Sequence, residues 1–569
     1  MIEYMRLLFK ILLIIFFSSN NLFSQGRLNP VEIPILLSGT FGEFRKTHFH
    51  SGIDIKTLGK EGLRVRAIED GDLIRVKVST SGYGKAIYIR HYDGTTSVYA
   101  HLKKFSSKIQ QIIKEIQYEK EKFEIEKFFK EGEIKLKKSE LIGFSGNTGG
   151  SSGPHLHFEL RDSKREKPLN PLKYGYLVID TIPPKIQNIF IYKFLKEHIY
   201  EKIKIELREN GNSYSSNDTI KINGIFGIGY SGYDKQNSSH NKNGIYNREL
   251  TINGENVFSY KFDDLIFPDG KKIDLLIDYE AYNVEKVRIK KLYQTINSKF
   301  SFLENNDSNG LFEIIKDSLY NIKIVFEDYN KNKSIVKMVI KGIENENIFN
   351  NSETDIEEKL YHPDIEYEKK YKMLNLKIPQ DAFYEPTNLN FEYNSDTIKI
   401  DKFTKAPKKG LNLEFYLPKN LDSIDLRQSC IGKISIKANN KKNKIQYVFG
   451  VKSDSLINAK TMSGGKYFLT KDSVPPSIKP INFKNENWVN NLKILKIRVD
   501  DKFSGIKKYR ANINGKWILM EYEPKSKLLF FEFDDIKFNT AELKLNLYVE
   551  DMVGNVNEFK TSIYRKIFK

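Results

Sequence analysis

The chain has 569 residues, a formal charge of +19, and a composition that is 40% hydrophobic and 13% aromatic. That length asks for about three or four domains at roughly 150 residues each, with enough apolar content for several buried cores. The single cysteine, Cys430, excludes an internal disulfide, and because no dense basic block accompanies the charge, nucleic acid is not an expected partner.

The chain opens with MIEYMRLLFKILLIIFFSSNNLFSQG, in which Arg6 and Lys10 precede or flank a short apolar run, Ile11 to Phe17, followed by Ser18, Ser19 and Ser24. This is the pattern of a secretory signal peptide over residues 1–24, with cleavage before Gln25. It predicts an exported protein of the periplasm or cell envelope; an uncleaved N-terminal anchor is the alternative. No cysteine follows the run to take a lipid, and no later segment is long and apolar enough to span a bilayer.

Residues 26–178 are dense in short alternating runs. LIRVKVST (73–80), KAIYIRHY (85–92) and TTSVYAHL (95–102) alternate with period two, and Gly82-Tyr83-Gly84 and Asp93-Gly94 are turn signals between them. An antiparallel sheet is predicted, interrupted by one helix that Ser106 caps and Ile109, Ile112, Ile113 and Ile116 stripe. KFEIEKFF then returns to strand alternation.

Beyond residue 179 the predicted architecture is β throughout. DTIPPKI (180–186) and DSVPPSI (472–478) are near copies, and a Pro-Pro pair that cannot join a ladder reads as a joint between domains. LTINGENVFSYKFDDL (250–265) resembles ANINGKWILMEYEPKSKLLFFEFDDI (511–536), and FEDYNKNKSIVKMVI (326–340) resembles VEDMVGNVNEFKTSI (549–563). Two related immunoglobulin-like sandwiches are expected at 179–345 and 476–569, with a further β-rich module at 346–475 whose start, NENIFNNSETDIEEK, is polar and linker-like. The tail is expected to lack any ligand-type cluster.

Chemistry concentrates in the first third, where six of the nine histidines fall between residues 48 and 157. THFHSGIDIK (47–56) offers His48, His50 and Asp54; YAHL (99–102) offers His101; PHLHFEL (154–160), after the turn-forming SGNTGGSSG, offers His155 and His157. On a strand His155 and His157 share a face, and Leu156 and Phe158 take the other and pack the core. A straight strand would hold His50 and Asp54 about 13 Å apart, so Gly52 is expected to bend or bulge the chain and close the bite. The His48–Asp54 bite would be wider still, which favours His50 and leaves His48 lining the cleft or bonding a ligand. His91, beside Asp93-Gly94, is expected to be an exposed turn histidine, and Tyr99 a packing residue.

These pieces together resemble the lysostaphin-type, LytM-like zinc metallopeptidases, whose signature is His-x-Gly-x-Asp, a lone histidine in a Tyr-x-His-Leu-like strand, and His-x-His. The resemblance covers about residues 35–165 and includes the hairpin rhythm of GDLIRVKVSTSGYGKAIYIRHYDGTTSVYAHL. It implies a mainly β protein: an antiparallel LytM-like domain with one inserted helix, followed by the sandwich modules. It further implies that His50, Asp54 and His157 bind Zn2+ while His101 and His155 act on substrate and water, the division between those two being open. The family's usual glycine before the final motif strand is Ser139 here, and the insertion at 105–130 is longer than in a minimal domain. LSGTFGEFR and the long tail resemble exported Bacteroidetes-like members. The activity implied is hydrolysis of peptide cross-links between peptidoglycan stem peptides, the tail serving an accessory role with wall or another envelope protein. The rival reading is a catalytically inactive scaffold that activates cell-wall amidases.

Overall fold

A computed structural model describes residues 27–196, 199–296, 298–303, 309–344, 360–435 and 444–566. The leader at 1–24 and the polar stretch 345–359 therefore lie outside the described residues. Among the described residues, no helix is long and apolar enough to cross a membrane.

The protein is mainly antiparallel β. In the N-terminal region, β1 (Leu37–Gly39), β2 (Ile53–Lys56), β3 (Arg64–Arg66), β4 (Gly71–Val78), β5 (Lys85–His91) and β6 (Thr95–Leu102) lead through β7 (Lys104–Phe105) into a helix, Ser107–Lys120. Then come β8 (Ile125–Phe128), β9 (Lys135–Leu136), β10 (Leu141–Phe144), β11 (His155–Asp162) and β12 (Pro168–Leu169). The main sheet runs β1-β2-β11-β6-β5-β4-β8, with β12 on β11 and β9 on β4; β3, β10 and β7 form a small second sheet. The turn glycines lie in left-handed backbone, Gly84 at φ 64° and Gly94 at φ 84°, which admits the tight reversals between β4, β5 and β6. Ser139 also lies at φ 68°, a conformation that explains why glycine is the ordinary occupant of that turn.

The helix buries Ile109 and Ile113 against the sheet, as its spacing predicts, but Ser106 caps it with its backbone carbonyl, not its hydroxyl: Gln110 N–H donates to Ser106 O at 2.8 Å. All of β6 is buried: Tyr99 and Leu102 join the main core, while Val98 and Ala100 form a second small apolar cluster with Ala86 and Tyr88 of β5.

The tail forms paired sheets. Strand Lys185–Lys196 follows the first Pro-Pro joint and pairs with Gly224–Tyr233; strand Ser477–Pro480 follows the second and pairs with Ile494–Asp500. The two Asn-Gly phrases are matching hairpin turns, Asn253 and Gly254 at φ 51° and 92°, Asn514 and Gly515 at φ 51° and 82°. One apolar core runs continuously from the N-terminal sheet into the first sandwich, where Phe49 packs on Phe262 and Phe302 with ring centroids 5.7 and 5.1 Å away.

Candidate metal centre

β2, β11 and β6 lie side by side at the centre of the main sheet. His157 stands opposite Asp54 on one neighbour and opposite Ala100 on the other. Leu156, Phe158 and Leu160 point into the core and are fully buried, so His155, His157, Glu159 and Arg161 share the opposite face.

His50 does not belong to β2. It sits in the loop ahead of the strand, fixed by His50 N–H to Glu43 O at 2.9 Å, and the chain bends at Gly52 before Ile53 begins the ladder. Gly52 is needed for closeness to β11: a Cβ there would lie 2.3 Å from Phe158 O. The bite therefore closes, with His50 Nε2 3.0 Å from Asp54 Oδ1 and 3.1 Å from His157 Nδ1, and His157 Nδ1 2.9 Å from the same Asp54 oxygen. His48 is exposed and lies outside this group, its Nδ1 3.2 Å from Thr47 Oγ1.

The donor set fits one zinc-class ion. Two imidazoles and a carboxylate converge within 4.8 Å of one another, the ligand chemistry and number of a site that keeps one position for water. Each donor is also aimed from behind. His50 Nδ1–H donates to Thr40 O at 2.8 Å, which turns its Nε2 to the cluster. Asp54 Oδ2 accepts from Arg45 at 2.7 Å, which leaves Oδ1 for the cluster. Burial alone would raise the Asp54 carboxyl, but His50 and the hydrogen bonds from His155 and His157 hold it well below the usual carboxylate range. His157 Nε2–H donates to Glu159 Oε1 at 2.8 Å, leaving Nδ1 as the inward atom.

Glu159 is the residue that the motif reading overlooks. It is fully buried, yet Arg161 at 2.7 Å and the hydrogen bonds from His157 and Ser51 keep its carboxyl depressed against the upward push of burial. Tyr83 also donates to it. The available signal was the strand period itself, which places Glu159 two residues beyond His157 on the same face.

His101 and His155 complete the group. Strict alternation would put His101 on the face of Tyr99, towards the core. Its left-handed backbone, φ 58°, breaks that alternation and brings the ring to 4.9 Å from His155 and 5.8 Å from His157, centroid to centroid. A carbonyl can only accept, so His101 Nδ1–H donates to Thr148 O at 2.8 Å and His155 Nδ1–H to Gly153 O at 2.8 Å. Both rings thus turn Nε2 away from the loop, and that of His155 lies 3.4 Å from Asp54 Oδ1. Burial, then the neighbouring His157 and His155, pull His101 down to about 3, so it is a neutral acceptor at neutral pH.

Two expectations are corrected. His91 is 2% exposed, not a surface turn residue: Nδ1 bonds Asp70 O at 3.0 Å and Nε2 meets Ser97 Oγ at 2.7 Å, and burial lowers its basicity. The tail does carry ligand-type groups, Asp180/Asp234/Asp328 and Asp472/Asp501/Asp551. Each gathers residues 29 or more positions apart, which no local motif reveals. Tyr99 packs in the core as expected, its hydroxyl accepting from Ile68 N–H at 3.0 Å.

Residues 48–118 match Peptidase family M23. Over 22% of this chain and 22% of the relative, the sequence is 37% identical to the DD-carboxypeptidase/endopeptidase Mpg of Neisseria meningitidis serogroup B. Over 10% of this chain and 13% of the relative, it is 41% identical to the peptidoglycan DD-endopeptidase ShyA of Vibrio cholerae. This chain thus spans at most about a fifth of the length of these curated relatives. Among solved structures, the catalytic domain of lysostaphin from Staphylococcus simulans aligns at 24% identity and a TM-score of 0.18, over 24% of this chain and 88% of that one.

Proposed function

We propose that this chain, whose residues 48–118 match peptidase family M23, is an exported, zinc-dependent endopeptidase with a LytM-like N-terminal domain that hydrolyses peptide cross-links of peptidoglycan. The observation that carries the proposal is the convergence of His50, Asp54 and His157 on one point, with two further imidazoles beside it whose Nδ1–H groups are tied to carbonyls. The names of the relatives, an endopeptidase and a peptidoglycan DD-endopeptidase, support the substrate class. The leader pattern at 1–24 supports export.

His50 Nε2, Asp54 Oδ1 and His157 Nδ1 would hold the ion. When bound, zinc supplies Lewis acidity at the scissile carbonyl and a nucleophilic water at neutral pH. The protein's own groups do the rest. Glu159 holds the proton of His157 Nε2, so that Nδ1 stays a donor atom of lone pair. His101 and His155, each with Nδ1–H tied to a carbonyl, can take a proton from water at Nε2 and return one to the departing amine. The loop carrying Thr148 and Gly153 fixes both tautomers. An inactive scaffold is not favoured, because all five side chains are present and oriented.

The test is digestion of purified, cross-linked muropeptides by the zinc-loaded chain. Cleavage of the cross-link is expected. His101→Ala and His155→Ala should retain stoichiometric zinc and lose about 10²–10⁴-fold in turnover, while His50→Ala, Asp54→Ala and His157→Ala lose the metal and His48→Ala keeps it. An unsubstituted, zinc-loaded chain that leaves every cross-link intact would overturn the proposal.

A further inference from the structure

The two Pro-Pro joints carry the same constellation of acidic groups. At the first, Asp180 precedes Thr181-Ile182-Pro183-Pro184, Asp328 directly follows the strand Leu319–Glu327 and Asn332 lies four residues on; at the second, Asp472 precedes Ser473-Val474-Pro475-Pro476, with Asp551 and Asn555 at the same spacing. The hydrogen bonds repeat as well. Asn332 Nδ2 donates to Asp328 Oδ2 at 2.7 Å and to Asp180 O at 3.1 Å; Asn555 Nδ2 donates to Asp551 Oδ2 and to Asp472 O, both at 2.8 Å. Asp180 Oδ1 accepts from Ile182 N–H at 3.0 Å, and Asp472 Oδ1 from Val474 N–H at 3.3 Å. A third aspartate completes each group, Asp234 at one and Asp501 at the other.

What remains unpaired in these groups is acceptor capacity. Asp234 Oδ1 is buried without a partner, and so is Asn243 Oδ1, a neutral side chain 4% exposed that lines the same cavity as Asp180, Asp234 and Asp328. At the second joint the orphan is Asp472 Oδ2, in a residue also 4% exposed. Aspartates nearby have cationic partners, Asp263 with Lys173 at 2.8 Å and Asp264 with Lys167 at 2.7 Å; among the described residues, no such ion pair falls on these six. Three converging carboxylates with stranded lone pairs need positive charge, not another acceptor.

We propose that each joint binds a hard divalent cation, calcium, one at Asp180, Asp234 and Asp328 with Asn243, and one at Asp472, Asp501 and Asp551. In each group one carboxylate oxygen per residue lies within 4.8 Å of the others. Oxygens on a single calcium, at about 2.4 Å each, stand no more than about 4.8 Å apart, and a set made only of oxygens selects calcium over zinc. The ions would act on the joints. Asp180 and Asp472 are joint residues, Thr40 and Asn170 of the N-terminal domain line the first cavity, and Gln428 of the middle module donates to Asn555 Oδ1 at 2.8 Å at the second.

The experiment is calcium titration of the full chain, zinc-loaded and stripped of other ions with a calcium chelator, followed by calorimetry and by proteolysis of the joints. About two calcium ions per chain are expected below about 5 mM calcium. Asp234→Asn with Asp328→Asn should remove one, Asp472→Asn with Asp551→Asn the other. Calcium should also slow cleavage within 178–186 and 470–478. Should the variants fail to fold, the unsubstituted chain decides: a rise in Tm with calcium and about two bound ions support the sites. No bound calcium at 5 mM, or two calcium ions persisting in either double variant, would overturn them.

Discussion

Glu159 shows how much of a candidate metal centre can rest on a residue outside the donor set. It accepts from His157 Nε2, from Ser51 Oγ at 2.6 Å and from Arg161, and all three depend on it for a buried partner. Glu159→Gln keeps the shape and removes the charge. His157 then loses the anion that aims its Nδ1, and Arg161 keeps only the half-exposed Glu166, 3.1 Å from its Nη1, as counter-charge. Zinc affinity should fall about 10–100-fold, and stability by about 1–3 kcal/mol. Competition with a chromophoric chelator reads the first and denaturant unfolding the second. Unchanged zinc affinity would mean that Glu159 serves only Arg161.

At the scale of the element, the site depends on how closely β2 approaches β11. Asp54 and His157 face each other across that pair, and Gly52 permits the approach just before the ladder starts. Gly52→Ala would put a methyl group 2.3 Å from Phe158 O and 2.8 Å from Glu159 Cγ. Backbone cannot rotate away as a side chain can, so β2 must move. The variant should lose about 1–3 kcal/mol of stability and bind zinc at least tenfold more weakly, although no ligand has changed. Zinc retention at unaltered affinity would show that the bite closes by other means. The same lesson holds for β6: one left-handed residue, His101, turns an imidazole from the core face to the cleft.

The whole molecule is tied together at three places. The N-terminal sheet and first sandwich share one core, with Gly42 packed so tightly under Phe262 that a Cβ would lie 2.2 Å from the ring. A fragment of 27–178 would therefore expose Phe44 and Phe49 and should aggregate, whereas 27–344 should unfold cooperatively; thermal unfolding of both fragments checks this. The middle module is joined to the first through Glu385, which accepts from Thr295 and pairs with Lys405 at 3.0 Å. Burial would raise its carboxyl, but Lys291 and Lys405 bring it down to about 2. A carboxyl depressed on folding contributes stability that is fully present above its unfolded value of about 4.3 and lost as pH falls towards 2. Glu385→Gln should thus lower Tm at pH 7, with the gap from the unsubstituted chain closing between about pH 4.3 and pH 2. A gap independent of pH would mean that packing, not charge, is what the substitution removes. The last sandwich folds back on the N-terminal domain, Lys85 meeting Glu521 at 2.8 Å and Trp517 packing edge-on to Tyr118 at 5.3 Å.

By itself the sequence determined what is local. Alternation with period two, Asn-Gly and Gly-rich turns, the isoleucine stripe of the helix and the His-x-His pair all act over a few residues, where backbone sterics and strand pleat decide the outcome. Only tertiary structure decided the rest. His91 is buried because Asp70 and Ser97 come to it, and His101 faces the cleft because Thr148 holds it there. Glu159 matters because Arg161 and Ser51 close around it, and the aspartates of the joints become groups because distant strands end together. A charge or a hydrogen bond acts through space, so its partner is set by the ladder register and the shared core, not by neighbours along the chain.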